Sequence, residues 1–471
     1  MELHMVFSSL FFLCVFLPAV FVANLLARSV RVKNALLIVA SLLFYAYGEP
    51  ILVLLMLAST CFNWLMGRAV GSAEDAGRRR ALVVLAVVVN VGLLGVFKYA
   101  GMVVGTINAL AGLSIPTPDI PLPLGISFYT FQALSYVIDV YRRDVEAQSS
   151  YPRVLLYISF FPQLVAGPIV KYHDIAAEME NRHATADDVA AGLRRFCCGL
   201  AKKVLIANVM ASAADTLYDS SAASIGCAGA WLAAFAYLLQ IYFDFSGYSD
   251  MAIGLGRVFG FHFKENFDHP YASSSVTEFW RRWHMSLSTW LKEYLYIPLG
   301  GNRKGRGRAI ANRIIVFLVC GLWHGANWTF VVWGLLHGLF LLLENVVPIR
   351  RLPKPVGIVY TMLVVMCTFV IFRADTLAEA GLMLQAMFSG ASGGRLANIL
   401  VMEQLTPHFL ATAVMAVLAA SSLPPALRSR LVGKAGVGIN CASYACAIVL
   451  LFLSMVSLSS GTYNPFIYFR F

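Results

Sequence analysis

The sequence predicts an all-α, polytopic integral membrane protein, and three observations carry that prediction. Of its 471 residues, 59% are hydrophobic and only 13% charged, about half the charged share of an ordinary soluble domain. A water-soluble fold of this composition has too few polar groups to cover itself. Apolar runs of the roughly 17 to 25 residues needed to cross a bilayer recur from end to end. Basic residues gather in the intervals between those runs, as the positive-inside rule requires.

The first span is expected over residues 5–26. Glu2 stands where a signal peptide carries basic residues, and Ala27-Arg28 makes no cleavage site, so the segment reads as retained. Arg28, Arg31 and Lys33 follow it, which places the N-terminus outside and the first loop in the cytosol. Spans near 34–47, 51–66, 81–98 and 124–141 come next, with Arg78-Arg79-Arg80 and Arg142-Arg143 in their inner loops. The remainder fall near 204–217, 230–246, 310–330, 331–347, 356–372, 407–423 and 439–458, about eleven to twelve in all.

Residues 154–170 are apolar, yet Arg153 before them and Lys171 after them both belong to the cytosol. Pro162, Gly167 and Pro168 break the helical pattern, so a re-entrant element is expected. Broken backbone at membrane depth is tolerated only when buried in protein or lining a cavity, which hints at an internal chamber.

Between residues 277 and 295 the pattern is that of one amphipathic helix. Phe279, Trp280, Trp283, Leu287, Trp290, Leu291 and Tyr294 gather on one arc, while Arg281, Arg282, Ser286, Ser288, Lys292 and Glu293 lie outside it. Such a helix lies in the cytosolic interface or roofs the core, with His284 at the edge of the apolar arc. Membrane anchoring alone would account for the tryptophans.

Nine cysteines fall mostly in apolar segments without a CxxC pair or metal-ligand spacing, so they read as small buried hydrophobes and no metal site is expected. The net charge of +11 reflects basic loops facing anionic lipid, and no nucleic-acid partner is expected. With no internal repeat or low-complexity linker, residues 1–471 read as a single membrane-embedded domain.

The candidate chemistry centres on His324, in Gly321-Leu-Trp-His-Gly-Ala-Asn-Trp328, about 20 Å into the helix expected from Ile310. An ionisable residue at that depth is a functional candidate by default. Its neutral imidazole can accept a proton and so act as a general base. Gly321 and Gly325 bracket it at the spacing that allows close approach, and Asn327 is placed to orient the ring or donate to an oxyanion. The bland alternative is a histidine bonded to a facing helix. His337, between Gly334 and Gly338, could serve the same role but lacks the polar and tryptophan setting.

Asp244 is an acid at the inner end of a span, suited to pairing with an arginine of the amphipathic helix. The loop from Gly300 to Arg308 offers Arg303, Lys304, Arg306 and Arg308 without an acid. It is either a phosphate site for a nucleotide-like donor or simply a positive-inside loop. The chain ends in Asn464-Pro-Phe-Ile-Tyr-Phe-Arg-Phe471, where Tyr468 is the one hydroxyl among phenylalanines. That tail is either an interface anchor or a segment that docks into a tunnel.

Several blocks, in order, resemble the membrane-bound O-acyltransferase superfamily and, within it, the alginate O-acetyltransferase membrane subunits. They are Pro123-Leu-Gly-Ile-Ser-Phe-Tyr-Thr-Phe-Gln132, Pro162 to Pro168, Asp244 to Asp250, Phe279-Trp-Arg-Arg-Trp-His-Met-Ser-Leu-Ser288, Tyr296-Ile-Pro-Leu-Gly-Gly-Asn-Arg303 and Trp323-His-Gly-Ala-Asn-Trp328. Together they cover residues 120–350, the expected catalytic core.

The resemblance implies a central tunnel in which a cytosolic acyl thioester, acetyl-CoA, meets an acceptor. It implies no bound cofactor, and a place in a bacterial inner membrane. It makes His324 the essential histidine and His284 the second, which decides between His324 and His337. It also implies periplasmic or surface acetyltransferase partners that modify a polysaccharide. The tail, residues 464–471, resembles the end of a small peptide of the D-alanylation machinery, which makes Tyr468 a candidate acyl carrier. Rival readings are a flippase for an acylated carrier, a scaffold for polymer export, and D-alanyl transfer to teichoic acid. Missing repeat symmetry and scarce intramembrane acids count against the flippase.

Overall fold

The computed structural model describes residues 5–220, 222–391, 393–422, 436–461 and 463–467. Among these residues the regular secondary structure is entirely helical. Eight helices are long and apolar enough to cross a membrane, among them Val30–Gly48, Leu52–Ser72, Ala76–Ala111, Lys354–Arg373 and Asn440–Ser460. A ninth is possible if the bent pair Ala397–Gln404 and Pro407–Ala420 counts as one span. The chain is thus a multi-pass membrane protein, and among the described residues eight or nine full-length spans stand where eleven or twelve spans are expected.

The shortfall has local causes. The segment expected over 5–26 yields a shorter apolar helix, Phe12–Leu26. The one expected over 124–141 is the 17-residue helix Ile126–Arg142, which buries Gln132, Ser135 and Asp139. The one expected over 310–330 is Arg306–His324, with Arg306, Arg308 and Arg313 in its first half.

The described residues form two compact units. The first comprises the chain up to Phe196 together with Ser249–Lys264. Its helices Leu52–Ser72 and Ala76–Leu94 are tied by the Asn63 and Asn90 amides, which bond each other at 3.0 and 2.8 Å. Apolar surroundings make such a reciprocal pair the cheapest way to bury two amides. Phe7, Phe12, Phe16, Phe44 and Phe161 interlock nearby at centroid distances of 4.9 to 6.4 Å.

The element expected over 154–170 is broken, as its prolines require. Helix Tyr151–Ser159 stops at Phe160 (ψ 111°), a single turn follows over Phe161–Leu164, and residues 154–172 are all buried. Gly125, at φ 72°, sits against this break, and a Cβ there would collide with the carbonyl of Leu164.

The second unit comprises Cys197–Tyr248 and the chain from Glu265 onward. Its centre is a hairpin of helices Arg306–His324 and Trp328–Val346, flanked by Lys354–Arg373. The hairpin backbones touch. A Cβ on Gly321 would collide with the carbonyl of Phe330, and one on Gly334 with that of Phe317. Gly325 lies instead under the ring of Phe330.

The stretch over 277–295 is not one helix. Helix Val276–Arg282 ends, Trp283 and His284 turn the chain, and helix Met285–Leu291 runs into a π-helical turn, Lys292–Tyr296. All seven residues of the predicted apolar arc are nevertheless buried. The stretch is a folded core element, not a helix lying flat in the interface.

Candidate active site

His324 is the last residue of its helix. The chain leaves helical geometry at Gly325 (φ −166°, ψ 156°), and Asn327 starts the next helix. Asn327 is therefore a cap: its Oδ1 accepts from Thr329 N at 3.1 Å, and its Nδ2 donates to the Asp375 carbonyl at 2.7 Å. The amide expected to orient His324 or hold an oxyanion is engaged on the connection between helices. The ring of His324 is boxed by Trp323, Trp333 and Phe372, with centroids at 4.9, 5.1 and 5.3 Å. It lines a small cavity of about 10 Å³, room for one water molecule, together with Phe245, Trp283, Phe369 and Ile467.

His284 is the second histidine at this place, its ring centroid 6.4 Å from that of His324. Its backbone is left-handed (φ 44°, ψ 53°), a conformation costly for any residue with a Cβ and concentrated at functional sites. Segment 266–268 holds that turn. Asp268 N donates to the Arg282 carbonyl and Met285 N to the Asn266 carbonyl, each at 2.9 Å. The Asn266 side-chain oxygen meets His284 Nδ1 at 3.1 Å and accepts from Ser286 N at 3.3 Å and Ser286 Oγ at 2.8 Å.

An amide oxygen only accepts, so Nδ1 carries the His284 proton and Nε2 bears the lone pair. Nε2 is buried without a hydrogen-bond partner among the described residues. Burial, with no compensating anion, pushes the His284 pKa down to about 3. The ring is thus a fixed, neutral acceptor.

His337 is different. Trp280 Nε1 donates to its Nδ1 at 3.2 Å, so Nε2 carries the proton and donates to Thr368 Oγ1 at 3.1 Å. Thr368 in turn donates to the Val365 carbonyl at 2.9 Å. The two ring nitrogens tie the hairpin to helix Val276–Arg282 on one side and to helix Lys354–Arg373 on the other.

Asp244 does not meet an arginine of the 277–295 stretch; Arg282 pairs with Glu278 at 2.8 Å instead. Its partner is Lys203, 2.8 Å away, and both side chains are almost fully buried. Lys203 and Asn266 were not singled out from the sequence. Lys203 borders an apolar run, a weak sign of a buried charge, whereas nothing local distinguishes Asn266 from other loop asparagines.

Arg303 and Lys304 are exposed on a loop shaped by Gly300, Gly301 and Gly305, all at positive φ, and pinned by Asn312 Nδ2 on the Gly301 carbonyl at 3.0 Å, whereas Arg306 and Arg308, expected on the same loop, are exposed in the first turn of the helix that follows. That loop and His324 stand at opposite ends of one helix, about 27 Å apart at 1.5 Å per residue. Tyr468 lies outside the described residues. The tail up to Ile467 is described, and Ile467 forms part of the cavity wall. No group of His, Cys, Asp or Glu suited to a metal occurs among the described residues.

The sequence model of the membrane-bound O-acyltransferase family matches residues 142–372. The probable alginate O-acetylase AlgI of Pseudomonas putida is 41% identical over 99% of this chain and 100% of its own. That of Pseudomonas aeruginosa is 44% identical over 82% of this chain and 75% of its own. The peptidoglycan O-acetyltransferase of Helicobacter pylori is 35% identical over 84% and 82%. The chain belongs to the membrane-bound O-acyltransferase family and is an O-acyltransferase.

Proposed function

We propose that this enzyme takes an acetyl group from acetyl-CoA on the cytosolic side and passes it outward for the O-acetylation of a cell-envelope polymer. The observation that carries the reading is the proximity of two buried histidines, His324 on an aromatic-lined cavity and His284 with its ring centroid 6.4 Å away. His324 removes the proton of an acceptor hydroxyl, whose oxygen attacks the thioester carbonyl. The tetrahedral intermediate collapses, the C–S bond breaks, and the departing thiolate takes the proton back from His324. His284, neutral and with its proton fixed on Nδ1, supplies a positioned Nε2 acceptor beside it.

The distance between the basic loop and His324 favours a donor with a long flexible arm. A head group held at Arg303, Lys304, Arg306 and Arg308 would have to extend its thioester along this helix toward His324, which supports a long-armed donor such as coenzyme A. The acceptor is Tyr468 or a hydroxyl of a periplasmic partner that acetylates the polysaccharide. The relatives' names supply the polymer class: alginate for two of them and peptidoglycan for the third. We place the enzyme in a bacterial inner membrane and favour an exopolysaccharide such as alginate as the final acceptor.

The test is transfer from radiolabelled acetyl-CoA in membrane vesicles, followed by mass spectrometry of the C-terminal peptide. Thioester-dependent labelling at Tyr468 is expected. Movement of an acylated carrier without thioester cleavage would instead make the protein a flippase.

A further inference from the structure

The C-terminal segment of the second unit is bound as a ligand is bound. Tyr463 donates its hydroxyl to Asp215 at 2.6 Å, and Asn208 Nδ2 donates to Asn464 Oδ1 at 3.1 Å. Lys203 donates to the carbonyl of Pro465, Phe466 stacks on Tyr248 at 4.7 Å, and Ile467 N–H donates to Asp244 Oδ2 at 2.8 Å.

The buried Lys203–Asp244 pair thus faces two main-chain groups, a carbonyl and an N–H, on either side of Phe466. Burying such a pair is costly unless its remaining hydrogen-bonding capacity is used. Here the tail uses it. Contacts to main chain fix register without reading side chains, whereas the pockets that receive Phe466 and Ile467 supply selectivity. Pro465, which has no N–H, holds its predecessor extended.

The segment also joins two cavities. Tyr463 lines an open pocket of about 460 Å³ with Asn208, Ser212, Glu403 and Ser460, and four residues later Ile467 walls the His324 chamber. The interval between the last two spans carries Arg428, Arg430 and Lys434 and so belongs to the cytosol. The open pocket, at the other ends of those helices, faces outward.

We propose that Lys203 and Asp244 are positioning residues, a main-chain receptor that captures the C-terminal segment as it enters from the outer face and sets its register so that Ile467 walls the His324 chamber. Only the further step, in which Tyr468 accepts the acyl group, rests on the function proposed above.

The discriminating variant is the exchange Lys203→Asp/Asp244→Lys. It keeps an ion pair but turns a carboxylate toward the Pro465 carbonyl and an ammonium toward the Ile467 N–H. The readout is maleimide labelling of Ile467→Cys in the full chain in detergent, with the exposed Cys14, Cys441 and Cys446 changed to Ser.

With the native pair, labelling is slow. With the exchanged pair at unchanged thermal stability, it is at least about tenfold faster, and Lys203→Met/Asp244→Leu, an apolar replacement of the pair, behaves alike should the exchange fail to fold. Labelling within twofold of native in whichever variant folds overturns the receptor. Acetyl transfer by Tyr468→Phe is read separately. A native rate there removes Tyr468 as acceptor and leaves the labelling result, and the receptor, standing.

Discussion

His284 owes its protonation state to burial and its tautomer to Asn266, and the two can be tested apart. Asn266→Ala removes the side-chain acceptor shared by His284 and Ser286, releasing the His284 ring, while the main-chain bonds of the turn remain. A misplacement of this kind costs about 100-fold in rate, expected in kcat with the donor KM little changed; an unaltered kcat would show that the tautomer is irrelevant. Burial has its own signature. The unfolded chain protonates His284 as pH falls through its ordinary value of 6.5, whereas the folded protein keeps it neutral until about 3. Stability present above 6.5 is therefore lost progressively between those values. On lowering the pH from 7.5 to 5, the Tm of the wild type should fall further than that of His284→Gln. Equal losses would mean that the ring is solvated.

Among the elements, the glycine contacts of the hairpin set how closely its two helices approach, and so where His324 sits. Gly321→Ala or Gly334→Ala forces a Cβ into a carbonyl of the opposite helix, an overpacking cost of about 1–3 kcal/mol readable as a fall in Tm. Gly338→Ala meets only Phe317 and Ile314 side chains at 3.3 to 3.6 Å and should be tolerated far better. A further expectation concerns the basic loop. Changing Arg303, Lys304, Arg306 and Arg308 to Ala should raise the donor KM about tenfold with kcat retained, the mark of lost uniform binding.

What the sequence made legible at this scale follows from periodicity. The apolar arc over 277–295 is buried residue for residue. Periodicity is silent about a break, however, and a left-handed histidine at 284 has no local marker. The end of the His324 helix does carry a local signal. Gly325 followed by Asn327 is a stop and an N-cap, yet the surrounding apolar run favoured an uninterrupted helix to residue 330.

At the scale of the whole molecule, composition and charge placement suffice for a multi-pass all-helical protein, and the family follows from separated blocks of sequence. Span counting fares less well, because helices such as Ile126–Arg142 are apolar but too short and too polar inside to stand in lipid alone. Long-range pairing is the least legible layer. Asp244 meets Ile467 across 223 residues, and Lys203 rather than a nearby arginine neutralises it. Neither contact leaves a trace in local pattern.

What joins the chamber, the second histidine and the tail is one base. The most direct measurement is therefore single-turnover acetyl transfer from acetyl-CoA by wild-type and His324→Ala enzymes reconstituted in vesicles, with donor binding measured alongside. Loss of about 10³-fold in the transfer rate with unchanged donor affinity is the predicted result; transfer at the wild-type rate by a correctly inserted His324→Ala protein would contradict it.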